Sequence, residues 1–204
     1  MNNYDIQLRN AAQAFCAYDT AKLAKKFGLP FDENDIKLNL LGESCQLCRK
    51  SGKLFRDGLD LGFELSMTVY DMLTNPYGKP VLSGQWCAHT HFNAVRGGTL
   101  SGKLEVSSQM DFLSGKMDAL REVCDKLGAR EVHGGDFSAE FPLFDFFPVL
   151  LRFYDADEEF APQLQLLWDA NTTRYLRYET TFYAAGAILR RIKDEILKGE
   201  RFAL

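Results

Sequence analysis

Two cysteines, Cys45 and Cys48, stand at the spacing of a zinc-knuckle half-site. A structural zinc site needs four ligands, and the chain contains no second Cys-x-x-Cys pair and no His-x-x-x-His pair. The pair therefore has two interpretations. It is either two reduced thiols on a strand or half of a tetrahedral site that distant residues complete.

A second group of possible metal ligands is Cys87, His89 and His91, which occupy every other position. Residues two apart on a strand point to the same face, and a His-x-His pair is a geometry that zinc sites use. The stretch 84–92 has the composition of a strand. The sequence therefore predicts a metal site on its polar face, and the alternative is an ordinary polar strand face.

Four acids, Asp155, Asp157, Glu158 and Glu159, crowd into five positions. Such a group supplies oxygen ligands for a hard cation, or a general acid or base whose pKa is raised by its neighbours. The run lacks the spaced Asp or Asn residues and the glycine of a calcium loop. A solvated turn between two strands is the other interpretation.

These candidates need a scaffold, and its centre lies in the segment 136–168. Three apolar arms, Phe137–Phe141, Phe147–Phe153 and Gln163–Trp168, are separated by proline and by the acidic turn. Each arm is too short for an ordinary helix and suits a strand. We expect an antiparallel meander whose middle arm, apolar almost throughout, is the central strand.

Helices and a hairpin complete the predicted domain. Apolar residues recur at helical spacing over Tyr4–Phe27, Leu61–Leu73, Met110–Leu127 and Tyr175–Leu197, and they alternate over the hairpin Ile36–Cys48. The glycine-rich stretch 96–102 is predicted to be a loop. The sequence thus predicts a single α+β domain over residues 1–204, in which about four helices accompany one mostly antiparallel sheet. That sheet consists of the N-terminal hairpin, the Trp86 strand and the meander.

The composition limits the classes of protein to which the chain can belong. Hydrophobic residues make up 46% of the 204 residues, which is enough to form a core without disulfides or metal. The net charge of −4 and the scattered cations disfavour nucleic acid and anionic membrane as partners. No apolar run is long enough to span a bilayer and no signal pattern opens the chain, so we expect a cytoplasmic protein.

The number of cysteines is consistent with a protein in a reducing compartment. Their number, five, is odd, which favours free thiols over a disulfide framework. Cys16 and Cys124 fall on apolar faces of predicted helices, and we expect both to be small core residues.

Several short motifs are spread along residues 59–192. They are Tyr70, Gly84-x-Trp86, Gly134-Gly135-Asp136, Pro148-Val149-Leu150-Leu151, Asp157-Glu158-Glu159-Phe160-x-Pro162 and Tyr175-Leu176-x-Tyr178-Glu179. Together they resemble the DUF3786 family, a group of uncharacterised bacterial and archaeal proteins. The cysteines and histidines discussed above do not belong to that pattern, so any role for them would be particular to this chain.

The resemblance singles out Asp157 and Glu159 in the acidic turn, and it also includes Trp86 and Glu179. One interpretation is a structural clasp, in which the acids accept backbone N–H bonds or pair with an arginine. The other is a ligand site, in which Trp86 forms an aromatic wall and the three acids supply polar groups.

Two functions follow as expectations. The first is a small-molecule-binding or accessory module that serves a small molecule or a partner protein, since no nucleophile-base set or phosphate loop is recognisable. The family is similar in distribution to anaerobic one-carbon and corrinoid metabolism, which implies a link to those processes. The alternative is a metal-dependent or acid/base enzyme that uses the turn Asp155–Glu159 and the strand face of Cys87, His89 and His91. The cofactor and the oligomeric state are left open.

Overall fold

The computed structural model describes residues 3–96 and 111–202. The helices in these ranges are α1 (Asn3–Cys16), α2 (Thr20–Phe27), α3 (Gly62–Thr74), α4 (His89–Arg96), α5 (Met117–Lys126) and α6 (Tyr178–Phe202). The strands are β1 (Asp35–Leu40), β2 (Glu43–Cys48), β3 (Leu54–Arg56), β4 (Leu59–Asp60), β5 (Trp86–Ala88), β6 (Arg130–Val132), β7 (Phe137–Phe144), β8 (Phe147–Tyr154) and β9 (Gln163–Asp169).

All nine of these strands belong to one sheet, and every pairing is antiparallel. Its order is β4-β3-β2-β1-β7-β8-β9-β5, and β6 also pairs with β7. The α+β class and the mostly antiparallel sheet are therefore confirmed. The six described helices exceed the four expected, and β3, β4 and β6 were not predicted.

The predicted meander is present as β7, β8 and β9. Phe137 pairs with Phe153 and Phe141 with Val149, so the large side chains of neighbouring strands stand on one face. That face is fully buried, because Val149, Leu151 and Phe153 are each 0% exposed. β8 lies inside the sheet between β7 and β9, as its continuous apolar sequence predicts.

The helices cover the sheet and close the core. α3 packs on α6, α1 and α2 pack on α3, and α5 contacts both α6 and β7. Alternate residues of the strands and the apolar stripes of these helices form one buried cluster. No helix within the described ranges is both long and apolar enough to cross a membrane.

The first predicted helix, Tyr4–Phe27, is wrong as one element, because the chain breaks after Cys16. Asp19 adopts an extended conformation, and its side chain accepts a 3.0 Å hydrogen bond from the Lys22 backbone N–H. This N-cap starts α2 in a new direction. Gly28 ends α2 in the left-handed conformation, as its position after the periodic residues predicts.

The predicted strand over residues 84–92 is also wrong after Ala88, because His89 begins α4. α5 starts at Met117, and a 3-10 turn over Asp111–Leu113 precedes it, so the third helix is shorter than predicted. Met110 and residues 97–102 of the predicted loop lie outside the described ranges. α6 starts three residues later than predicted and extends to Phe202.

Candidate functional site

A cleft opens where the start of α3 meets the side of α6. It has a volume of about 450 Å³, within the range of small-molecule pockets. The β1–β2 turn and β3 close one end, and α1 contributes a residue at its rim. Its lining consists of Tyr4, Leu41, Arg56, Leu61, Gly62, Phe63, Glu64, Leu65, Tyr183, Ala187, Arg190, Arg191 and Asp194.

Three rings form an aromatic wall along this cleft. The Phe63 ring meets Tyr4 at 5.1 Å between centroids and Tyr183 also at 5.1 Å, with interplanar angles of 73° and 80°. Such edge-to-face contacts hold the rings at defined angles. Phe63 and Tyr183 are half-buried and Tyr4 is exposed, so the wall offers apolar surface to a flat ligand.

Arginines from two distant elements converge beside that wall. Glu43 of β2 contacts the Arg56 guanidinium, and its Oε1 accepts a 2.7 Å hydrogen bond from Arg191 Nη2. Arg56 Nη2 also donates to the Leu40 carbonyl oxygen at 2.8 Å. The side chains of Arg56 and Arg191 are only 14% and 19% exposed, so both charges are held away from bulk water.

A second carboxylate, Glu195, lies behind Arg191. Its side chain is 3% exposed and pairs with Arg191 at 3.2 Å, with Lys198 at 2.9 Å and with Lys126 of α5. The hydrogen bond from Lys126, helped by Lys198 and Arg191, outweighs burial and lowers the pKa of Glu195 to about 2. Glu195 is therefore ionised at neutral pH, and its ion pair with Lys126 ties α5 to α6.

The ion-paired side chains around Glu43 and Glu195 include more cations than carboxylates. Four cations, Arg56, Arg191, Lys126 and Lys198, share two carboxylates. Asp194 at the rim removes one of the two surplus charges. One net positive charge remains at this site, in a chain whose formal charge is −4.

The N-terminus of α3 adds further positive character to the cleft. Its first residues, Gly62 to Leu65, line the cavity; Leu61 provides no side-chain cap, and the Gly62 N–H donates to Asp60 Oδ1 at 2.8 Å. The first N–H groups of a helix point out of its end and favour anions. Glu64 lies beside them and pairs with Arg190 at 3.0 Å, which leaves that exposed guanidinium at the cleft mouth.

Hydrogen bonding in this region is incomplete. Five buried side-chain nitrogen or oxygen atoms in the described part of the chain lack a hydrogen-bond partner. Two of them, Nε of Arg56 and Nε of Arg191, are donors in this region, and two more, Oε2 of Glu43 and Oε2 of Glu64, have no hydrogen bond but lie in the ion pairs with Arg56 and Arg190. Buried donors are normally satisfied, so the two free Nε–H groups of Arg56 and Arg191 are the exceptions to be explained in this cleft.

The predicted metal ligands do not come together. His89 is at the start of α4, where its Nε2 lies 2.5 Å from Thr181 Oγ1 and its ring stacks on Tyr178 at 4.6 Å. Burial lowers the pKa of His89. Cys87 contacts the backbone oxygen of its strand neighbour in β9, and His91 is exposed. Among the described residues, no group of three His, Cys, Asp or Glu is placed to hold a metal ion.

The two cysteines of the Cys-x-x-Cys pair lie on opposite faces of β2. Cys45 is 1% exposed and faces the core, where burial raises its pKa. Cys48 lies three residues along, at the end of β2, and is half-buried. Residues three apart on a strand point to opposite faces, so these thiols cannot ligate one ion from a regular strand. All five cysteines are free, as predicted.

The acidic turn bonds mainly to itself. Asp157 Oδ1 accepts the N–H groups of Glu159 and Phe160 at 2.8 and 2.7 Å, which is an Asx turn. Asp155 Oδ1 accepts the Gly115 N–H at 3.0 Å. The side chain of Glu159 is exposed and, within the described residues, makes no hydrogen bond or ion pair; only its backbone N–H is bound, by Asp157. Asp157 thus has the contacts of the clasp interpretation, and Glu159 does not.

Trp86 and the acidic turn lie at opposite ends of β9. Trp86 pairs with Asp169 at its last residue, whereas the turn precedes its first residue, Gln163. Seven strand residues separate them, which is roughly 20 Å at about 3.3 Å per residue. Glu179 is exposed in the first turn of α6. The four residues expected to form one ligand site are therefore not gathered at one place.

Sequence reasoning missed the residues that hold this cleft and its surroundings. Glu43, Arg56 and Arg191 come from three separate elements, and no local motif connects them. Asp169 was missed as well: its buried carboxylate accepts N–H groups of Ser83 and Gly84 at 3.1 and 2.9 Å. A lone acid at the end of an apolar strand was the available signal for Asp169.

Comparison with known sequences and structures gives one match. The model of a family described as a domain of unknown function, DUF3786, matches residues 19–191. No curated protein and no solved structure matches the chain. The matched range starts well before residue 59, where the resemblance was expected to begin. It includes every residue lining the cleft except Tyr4 and Asp194.

Proposed function

The chain belongs to the DUF3786 family, whose function is unknown, and from its structure we propose that it is a small-molecule-binding module. Its site is the cleft between α3 and α6. Its ligand is a small organic anion, a carboxylate or a phosphate, that also carries a flat apolar group.

The unsatisfied buried donors of Arg56 and Arg191 are the observation that carries this proposal. An anionic oxygen reaching this end of the cleft supplies the acceptor that the arginine side chains lack. The positive end of the α3 dipole adds to this polarity, although the Gly62 N–H is already bound by Asp60. The apolar group of the ligand then lies against Phe63 and Tyr183.

The size of the cleft supports a compact ligand. A volume of about 450 Å³ suits a molecule with one or two rings and one acidic group. The larger cavities of 610 and 770 Å³ contain none of the five unsatisfied buried atoms in their linings. That contrast is why we assign the ligand to the smaller cleft.

The cellular location and the metabolic context of this function are also proposals. A cytoplasmic location is supported by five free thiols. The link to anaerobic one-carbon and corrinoid metabolism rests on the family resemblance alone. An accessory role beside a partner enzyme, and the alternative of a metal-dependent or acid/base enzyme, stay predictions.

Nuclear magnetic resonance of the uniformly labelled protein tests the proposal, with phenyl phosphate as the probe. We expect saturable shifts of the backbone amide signals of Gly62–Leu65 and of Tyr183–Asp194. Inorganic phosphate alone and benzyl alcohol alone, which each provide half of the chemistry, should bind at least about tenfold more weakly. Absence of saturable shifts in these two segments at millimolar probe would overturn the proposal.

A further inference from the structure

Cys48 begins a tight turn rather than continuing a strand. Its carbonyl oxygen accepts the Gly52 N–H at 2.8 Å, and its own N–H donates to the Lys53 oxygen at 2.8 Å. These two bonds close the segment between β2 and β3 into a rigid loop. The thiol of Cys48 is half-buried at the base of this loop.

The loop rests on α1 at the helical turn that precedes Cys16. A Cβ placed on Gly52 would lie 3.1 Å from the Ala12 Cβ, and the Gly52 oxygen accepts a 2.5 Å hydrogen bond from the Tyr70 hydroxyl. Cys16 follows Ala12 by four residues and is on the same face of the helix. The fold therefore brings Cys16 beside the loop of Cys48, although 32 positions separate them.

A cavity of about 610 Å³ lies between these two elements. Cys16 lines it, and so do Arg9, Lys50, Ser51 and Lys53. Cys16 packs against the core, as expected of a small core residue, but it is only half-buried and also faces this cavity. Three cations outnumber the two acids of the lining, Asp5 and Asp60, which suits a thiol reagent that carries carboxylates. This cavity lies apart from the cleft between α3 and α6.

The two thiols differ in acidity. Partial burial disfavours the Cys48 thiolate, but hydrogen bonds from the Ser51 hydroxyl and from the Ser51 and Lys50 N–H groups lower the pKa of Cys48 overall. Burial raises the pKa of Cys16, and the negative charge of the Cys48 thiolate raises it further.

We propose that Cys48 and Cys16 form a redox-sensitive thiol pair. A low-molecular-weight disulfide carrying carboxylates reacts first with Cys48, and Cys16 then resolves the product into an intramolecular disulfide. The free thiols of the structure are the reduced state of this pair.

The chemistry balances without any further reagent. The Cys48 thiolate bonds to one sulfur of oxidised glutathione, whose S–S bond breaks and releases one glutathione thiolate. The Cys16 thiolate then attacks the Cys48 sulfur, breaks the mixed S–S bond and releases the second glutathione. The protons of the two protein thiols pass through water to the two glutathione thiolates. Two protein thiols are oxidised, and one external disulfide is reduced to two thiols.

Peptide mapping by mass spectrometry tests this proposal on the full chain, after reduction, desalting and timed exposure to oxidised glutathione at pH 7. We expect a Cys16–Cys48 crosslink in the wild type, formed at least about tenfold faster than any adduct on Cys87, which is also half-buried. In Cys16→Ser we expect a stable glutathione adduct on Cys48. In Cys48→Ser both the crosslink and early adducts should be lost.

Cys87→Ser is the matched control and should leave the crosslinking rate unchanged. Adduct formation on Cys87 as fast as on Cys48 in the wild type would overturn the proposal without reference to any variant. A mixed disulfide that persists on Cys48 in the wild type would remove the resolving role of Cys16. Unchanged early reactivity in Cys48→Ser would remove the role of Cys48.

Discussion

Replacement of Glu195 by glutamine should weaken the fold in a pH-dependent way. The side chain of Glu195 is 3% exposed and pairs with three cations, which lower its pKa from an ordinary value of 4.5 to about 2. A carboxylate with a lowered pKa stabilises the folded state above its unfolded pKa. That contribution is lost as the pH falls through the folded pKa.

The magnitude follows from the pKa difference. A shift of this size is worth up to about 3 kcal/mol, at about 1.4 kcal/mol for each pKa unit. Lys126 and Lys198 are 66% and 57% exposed, so solvent screens part of the interaction. We therefore expect Glu195→Gln to lower the free energy of unfolding at pH 7 by about 1 to 3 kcal/mol.

Urea denaturation of both proteins at a series of pH values between 7 and 2 measures this difference. The destabilisation should be full above pH 4.5 and should shrink towards zero near pH 2, because wild-type Glu195 is then protonated too. Asp194→Asn, at the neighbouring exposed position, is the matched control and should change stability by less than about 0.5 kcal/mol. A difference that stays constant from pH 7 to pH 2 would refute the ionic explanation.

Three further substitutions, two of them with a control substitution, test the scaffold. Leu151→Ala, at a fully buried position of β8, should lower the free energy of unfolding by about 2 to 5 kcal/mol in urea denaturation. Its control, Gln165→Ala on the exposed side of β9, should lower it by less than about 1 kcal/mol. Equal losses would contradict the meander. Gly42→Ala would place a Cβ 1.9 Å from a backbone oxygen at the end of α5 and should cost more than about 3 kcal/mol. Gly58 has the same φ of +76°, but a Cβ there would meet no atom within 4 Å, so Gly58→Ala should cost only about 1 to 2 kcal/mol of stability. Similar losses at both glycines would exclude the clash as the cause. Asp157→Ala removes the acceptor of two backbone N–H groups and should lower stability by about 1 kcal/mol, whereas an unchanged or raised melting temperature would argue against a structural clasp.

The sequence carried the information for the elements whose signal is local. The meander was predictable because alternating large apolar residues and proline boundaries define β7, β8 and β9 without outside help. The break after Cys16 was missed because the apolar period continues through it, and only Asp19 indicates a new start. α4 was missed because its eight residues are too few to establish a helical period, and the contact of His89 with α6 is visible only in the folded chain.

The candidate cleft could not be predicted, because its polar residues come together only in three dimensions. Glu43 and Arg191 are 148 positions apart, and their ion pair depends on how α6 lies over the β1–β2 hairpin. The acids that stood out in the sequence, Asp155 to Glu159, mostly serve their own turn. Local sequence patterns were therefore enough to predict the strands of the meander. The long-range charge pairs that shape the cleft could be identified only in the folded structure.

Titration calorimetry with phenyl phosphate tests the central claim most directly, through a comparison of two aromatic truncations. Phe63 forms the middle of the aromatic wall, whereas Tyr77 is 63% exposed and does not line the cleft. Loss of a ring contact of this kind costs about 1.4 kcal/mol or more, so Phe63→Ala should raise the Kd of phenyl phosphate at least about tenfold. Tyr77→Ala should leave the Kd within about twofold of the wild-type value. A Phe63→Ala protein that is folded and binds phenyl phosphate as tightly as the wild type would contradict the assignment of the ligand to this cleft.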